Sequence, residues 1–166
     1  MTVTQGINPV VVDTVQTFPL GTEVDDPRSQ TYPGNKLRYV KAGSTITAND
    51  ALKVKTDDAD EPWTLIPTAA VAEVVVAIAQ VTIASGSFGW VITKGRVPTA
   101  NVGASIAAGA KLGSSASAGK LVALAQADSN FSSNNLNAAI AQAAGVGLMA
   151  LDSNDSNAAA IEVLIS

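Results

Sequence analysis

The sequence predicts an all-β fold: a small β-barrel or jelly-roll-like domain with an extended N-terminal arm and one short helix. Three observations carry this. LRYVKA at 37–42 sets Leu37, Tyr39 and Lys41 against Arg38, Val40 and Ala42, the period-two pattern of a half-buried strand. The apolar runs are rich in valine and isoleucine and are bounded by glycine and proline, which favours strands over helices of equal apolarity. Four prolines, Pro9, Pro19, Pro27 and Pro33, fall in the first 36 residues, a density that excludes helix interiors and central strands. The chain of 166 residues therefore divides into an arm over 1–36 and a barrel body over 37–166.

Taken in order, the arm holds two β-prone pieces, VVVDTV at 10–15 and GTEV at 21–24. It packs on its own barrel or on a neighbour; a disordered tail is the alternative. Strands follow at 37–42 and 51–55, then the acidic loop TDDADEP, then WTLIPTA at 63–69, cut by Pro67. EVVVAIAQVTI at 73–83 reads as a strand between Pro67 and the SGSFG turn, and GWVITKGRV as the next, closed by Pro98. KLGSSASAGKLVALA at 111–125 is two short strands about a small-residue turn, and AAGVGLMALD at 143–152 and AIEVLIS at 160–166 are the last two. Within 128–145, Leu136 and Ile140 stand four apart between Asn/Ser caps and Gly145, which predicts the helical insert. Gly43, Ile46, Ala48 and Leu52 recur sixty residues later as Gly103, Ile106, Ala108 and Leu112. Such spacing points to one corner device used twice.

Composition bounds the function. Cysteine and histidine are both absent, so zinc fingers, thiolate nucleophiles, Ser-His-Asp triads and His-ligated metals are impossible within this chain. The net charge of −4 carries no basic stripe to release counterions from nucleic acid. MTVTQGINPVVVD lacks a basic n-region, and no segment approaches the ~20 apolar residues of a membrane span, so a soluble, unexported protein is expected. A core of alanine and valine with only seven aromatics buries little area per side chain and gains from burial between subunits.

Candidate sites are few. Lys94-Gly95-Arg96 can grip a phosphate or line a sheet edge. It lacks the glycine-rich loop and helix N-terminus of a phosphate cradle, so an interface or partner-pairing role for Lys94 and Arg96 is the better reading, with both cations on Trp90's face if the strand stays regular. Trp63, Trp90 and Tyr32 can form a sugar-stacking platform, with core duty the preferred role of both tryptophans. Asp57, Asp58, Asp60 and Glu61 lack calcium-loop spacing, DSNDSN at 152–157 reads as a turn, and Glu23, Asp25 and Asp26 read as a solvated loop. No catalytic, cofactor-binding or metal residue is expected, and the chain does not read as an enzyme.

FPLGTEV at 18–24, RYVKAGSTITANDAL at 38–52, SGSFGWVITKGRVPTANVGASIAAGAKLGSSASAGKL at 85–121 and AAGVGLMAL before a terminal strand resemble bacteriophage capsid decoration (cement) proteins. The resemblance covers most of 18–166 and is least at 1–17 and 128–143. It implies a small β-barrel or jelly-roll-like homotrimer, made in the host cytoplasm, that sits on the capsid exterior of the virion and binds the major capsid protein, with no cofactor, nucleic acid or membrane. Within that reading the expected capsid contacts are Val10, Val11, Val12 and Phe18 of the arm. Two alternatives stand beside it: a secreted surface protein or adhesin, and a carbohydrate-binding β-module using Trp63 or Trp90.

Overall fold

A computed structural model of the chain describes residues 7–26, 34–57, 61–103, 106–124, 148–150 and 160–165. Ten strands run through them: β1 (Glu23–Asp25), β2 (Lys36–Ala42), β3 (Ala51–Val54), β4 (Thr64–Pro67), β5 (Ala77–Ala79), β6 (Phe88–Asn101), β7 (Leu112–Ser114), β8 (Leu121–Ala123), β9 (Leu148–Ala150) and β10 (Ala160–Ile165). The hydrogen-bonded order β2-β4-β3-β5-β6 returns to β2 through a β2–β6 pairing, which closes a five-stranded barrel. Only β2 and β4 run parallel within it. Strand β1 extends β2, strands β10 and β9 extend the far half of β6, and β7 and β8 form a separate hairpin.

The small residues have a structural use. Alternate positions of all five barrel strands fill the interior: Val40 and Ala42, Leu52, Leu65, Ala77 and Ala79, and Val91, each at most 1% exposed. Three of these are alanines, and a five-stranded barrel leaves room for little more. The opposite faces build a second core outside the barrel. Leu37, Tyr39, Ile78, Trp90 and Ile92 point outward there and meet Ile7, Val97, Ile106, Leu112, Leu121, Leu148 and Ile165. Strand β2 is thus buried on both faces through Val40 and Ala42 within and Leu37 and Tyr39 without. The half-buried pattern expected for it describes a bare sheet; here the N-terminal segment and the later strands cover the outer face.

The predicted corner device is present three times among the described residues. At Ile46, Ile83 and Ile106 a bridging isoleucine is followed by a turn in which the amide of the fourth residue on donates to the carbonyl of the first: Asp50 to Thr47 (3.2 Å), Ser87 to Ala84 (3.0 Å) and Ala110 to Ala107 (3.1 Å). The third residue on, Asn49, Gly86 or Gly109, has φ of 72°, 80° or 78°, the left-handed position of a type II turn. Each corner launches the next strand pairing, and Ile46 and Ile83 bond each other across the barrel end. The copy at 83–88 escapes a search by identity because Gln80 and Gly89 replace the flanking glycine and leucine of the other two.

Two expectations are corrected. The run 73–83 is a strand only at Ala77–Ala79, and residues 69–76 form an irregular loop before it. Pro98 does not close β6, which continues to Asn101. Between Ala100↔Ile161 and Val97↔Val163 the ladder to β10 skips a residue on β6, and the bulge places proline's missing N–H where no ladder bond is required. The described N-terminal residues 7–26 lie on the barrel, one of the two settings expected for them, with Ile7, Phe18, Leu20 and Val24 packed into the outer core. The helix predicted at 128–145 lies outside the described residues.

Candidate interaction surfaces

The N-terminal segment is bolted to the barrel at two places, and the bolts determine which residues remain outward. Asp13 pairs with Phe88 through two backbone bonds of 2.9 and 2.8 Å. Its carboxylate Oδ2 also accepts from the Tyr39 hydroxyl (2.7 Å) and from Thr17 Oγ1 (2.6 Å). Burial, together with the Asp13 carboxylate, pushes the Tyr39 phenol above its usual range, although its bonds to Thr17 act the other way. Phe18 packs edge-on against Tyr39 and Trp90 at 5.3 Å from each. Ahead of these bolts, Asn8 turns the chain by accepting from Val10 N at its side chain and from Val11 N at its carbonyl.

Of the four expected contact residues, this geometry leaves Val10 (54% exposed) and Val11 (46%) facing outward. Val12 packs against the barrel-interior cluster, and Phe18 is committed to the outer core. Val15, at 73% exposure, was not singled out from the sequence and joins Val10 and Val11 on the outside. A shallow cavity of about 300 Å³ beside Val11 is lined by Asn8, Asp13, Thr17, Phe18 and Trp90.

Lys94-Gly95-Arg96 is not a regular strand end. Leu37 pairs with Ile92 but Lys36 pairs with Lys94, so Thr93 is a bulge. The extra residue turns Lys94 onto the face of Lys36 and Arg38, away from Trp90. Gly95 then takes φ 102°, and a Cβ there would lie 2.1 Å from Asn35 Oδ1. Asn35, buried at 1% exposure, clasps the backbone of Arg96: Nδ2 donates to its carbonyl and Oδ1 accepts from its amide, both at 2.7 Å. The expected sharing of one face by both cations and Trp90 therefore fails, because the bulge and the left-handed glycine break the alternation.

Trp90 is in the outer core at 3% exposure, as expected, whereas Trp63 stands half-buried at the rim of the barrel. Arg38 lies over the Trp63 ring at 4.1 Å, and the indole Nε1 edge packs so tightly on Gly21 that an added Cβ would sit 2.0 Å from it. Tyr32 lies outside the described residues. The two indoles do not form a common platform. The rim encloses a groove of about 590 Å³, with Val40, Val54, Leu65 and Val76 below and Glu23, Lys36, Arg38, Trp63 and Lys94 around it.

The acidic clusters carry ion pairs at the surface, where Glu23, Asp25 and Asp57 stay exposed as a solvated loop predicts, whereas Asp26 is buried. Glu23 pairs with Arg38, Asp25 with Lys36, Glu61 with Lys41 and Asp57 with Lys55. Lys41 holds the Glu61 carboxyl below its usual range. Among the described residues no three acidic side chains group as a metal site would need. Asp58, Asp60 and the 152–157 turn lie outside the described residues.

A further apolar feature has no signature in the sequence. Val71 and Val74 are exposed at the tip of the 69–76 loop, and Ala72 takes φ 67° between them. Glu73 holds this loop. Its carboxylate pairs with Lys53 and accepts from the amides of Ala69 (2.6 Å) and Ala70 (3.0 Å), while its own amide donates to Ser114 Oγ at 2.8 Å. Burial alone would raise the Glu73 pKa, but Lys53 and the two amides outweigh it and leave it lowered. A carboxyl depressed on folding contributes stability above its unfolded value and loses it as pH falls through the folded one. Amide exchange at Ala69 and Ala70 should therefore accelerate as pH is taken below 4.5, beyond the intrinsic rate change. In Glu73→Gln this acid dependence should vanish.

No model of a known protein family matches the chain, and no curated protein sequence matches it. No helix among the described residues is long and apolar enough to cross a membrane.

Proposed function

We propose that the protein binds the outside of an assembled phage capsid as a trimer and stabilises it, acting as a structural cement protein and not as an enzyme. The observation that carries this reading is the N-terminal segment, where Val10, Val11 and Val15 are held outward on a backbone bolted to a rigid barrel. Exposed valines on ordered backbone bury apolar area on docking at little further cost in chain entropy. The sequence resemblance to decoration proteins supports the same reading. So does the barrel, whose small-residue interior leaves the outer surfaces as the place where specificity resides.

The mechanism is linkage. A protein that binds the assembled shell and not its loose subunits stabilises the shell by RT ln(1 + [L]/Kd), about 2.7 kcal/mol at a hundredfold excess over Kd. Three copies of the valine turn on one trimer make the second and third contacts intramolecular and raise avidity without new contacts. Each contact needs about 800 Å² per partner, so the turn at 8–11 must act together with the barrel surface beside it.

The test is co-sedimentation with heads that lack the protein, using Val10→Asp/Val11→Asp. Removing residues 1–20 would be a poor test, since it strips Phe18 and Leu20 from the outer core. The double variant should keep the wild-type unfolding midpoint and lose at least tenfold in head affinity. Undiminished binding would overturn the contact surface, and wild-type protein that never co-sediments would overturn the function. Light scattering should give three times the 16.7 kDa chain mass.

A further inference from the structure

We propose that the mouth of the barrel is a binding site for a small amphiphile with an aliphatic body and one anionic head, of which a medium-chain carboxylate is the simplest. The groove of about 590 Å³ lies within the ~300–1,000 Å³ usual for small-molecule sites, and barrel mouths are a recurrent place for them. Its floor is aliphatic, formed by Val40, Val54, Leu65, Val76 and Ile165. Below the floor the barrel is filled, with Leu52, Ile46 and Ile83 fully buried, so a ligand tail lies along the mouth and does not thread the barrel.

The rim supplies the charge. The Thr93 bulge places Lys94 directly opposite Lys36 across the β2–β6 ladder, and like charges so placed repel. Asp25 compensates Lys36 and Glu23 compensates Arg38, but no described carboxylate pairs with Lys94. Arg38 spends its terminal nitrogen on Glu23 while its Nε is buried without a hydrogen-bond partner. Three cations thus face two carboxylates at the edge of an apolar floor, in a chain whose net charge is −4. One anionic head beside Lys94 neutralises the excess, and its hydrocarbon covers the part-exposed side chains of Val54 and Val76. A neutral amphiphile meets only the second need, and a bare anion only the first.

Calorimetric titration with decanoate, octanoate, 1-octanol and acetate tests this on the intact protein. Decanoate should bind saturably at one per chain, with octanoate roughly fifteenfold weaker, because each of the two methylenes it lacks is worth about fourfold in affinity. Octanol should bind at least tenfold more weakly than octanoate, and acetate should not bind measurably. Lys94→Glu should weaken decanoate at least tenfold with an unchanged unfolding midpoint, and Lys94→Met serves if the glutamate variant does not fold. Octanol binding equal to octanoate, no saturable decanoate binding, or full affinity in the folded Lys94 variant would each overturn the site. Head binding is a separate readout, so neither result depends on the other.

Discussion

Replacing Tyr39 with alanine should destabilise the protein by about 3–5 kcal/mol, the range for truncating a large buried aromatic. Tyr39 is fully buried and lies among three other rings: Phe18 at 5.3 Å, Trp90 at 5.1 Å and Phe88 stacked at 6.2 Å. Its hydroxyl is also the tie between the outer core and the N-terminal segment, through Asp13 and Thr17. Domains of this kind are stable by only ~5–15 kcal/mol, so a large part of the total is at stake. The expected fall in unfolding midpoint is roughly 6–20 °C. Tyr39→Phe separates the two contributions. It keeps the ring and removes the hydroxyl, at about 1–2 kcal/mol, and should speed proteolysis within 13–18 more than elsewhere. A Tyr39→Ala midpoint within 2 or so degrees of wild type, on the order of 1 kcal/mol or less, would refute the central role of this cluster.

Asn35→Ala should cost roughly 2–4 kcal/mol, since it strips the amide and carbonyl of Arg96 of their partner at once. The Asn35 side chain substitutes for a backbone partner at the place where β6 bulges away from β2. Gly95→Ala should act on the same joint, because its Cβ would lie 2.1 Å from Asn35 Oδ1 and 2.9 Å from Asn35 Cα. At φ 102° an alanine is strained whatever the space around it. Because the two substitutions break one contact, their effects measured by urea unfolding should add to less than the sum of the singles. Full additivity would mean that the clasp is not what holds the turn.

How much of this was legible follows from the range of each interaction. Strands β2, β3, β4, β7, β8, β9 and β10 fall where local pattern places them, because β-branched density, alternation and glycine or proline punctuation act over a few residues. The corner at Gly43–Leu52 and its echo at Gly103–Leu112 were readable for the same reason. The third corner keeps the geometry while changing the flanking residues, so identity could not reveal it. Strand β6 was begun correctly and ended too early. Pro98 forbids a ladder bond only where the register would require one, and the register is set by β10, some sixty residues on.

The candidate surfaces were less legible. Val10 and Val11 are outward because Asn8 turns the chain and Asp13 anchors it, whereas Phe18, equally apolar, is claimed by Tyr39 and Trp90. Nothing local distinguishes the two fates. Lys94 faces the barrel mouth because of a one-residue bulge, and a slip of one residue exchanges the faces of a strand. The exposed valines at 71 and 74 look in sequence like part of a buried strand. They stand free because Glu73 is held by Lys53, two loop amides and Ser114. Composition alone settled the absence of histidine and cysteine chemistry, and local pattern settled the all-β class. Barrel closure, the double-faced burial of β2 and the placement of Lys94 depend on which distant strand lies beside which, and that pairing is selected by packing the whole chain at once.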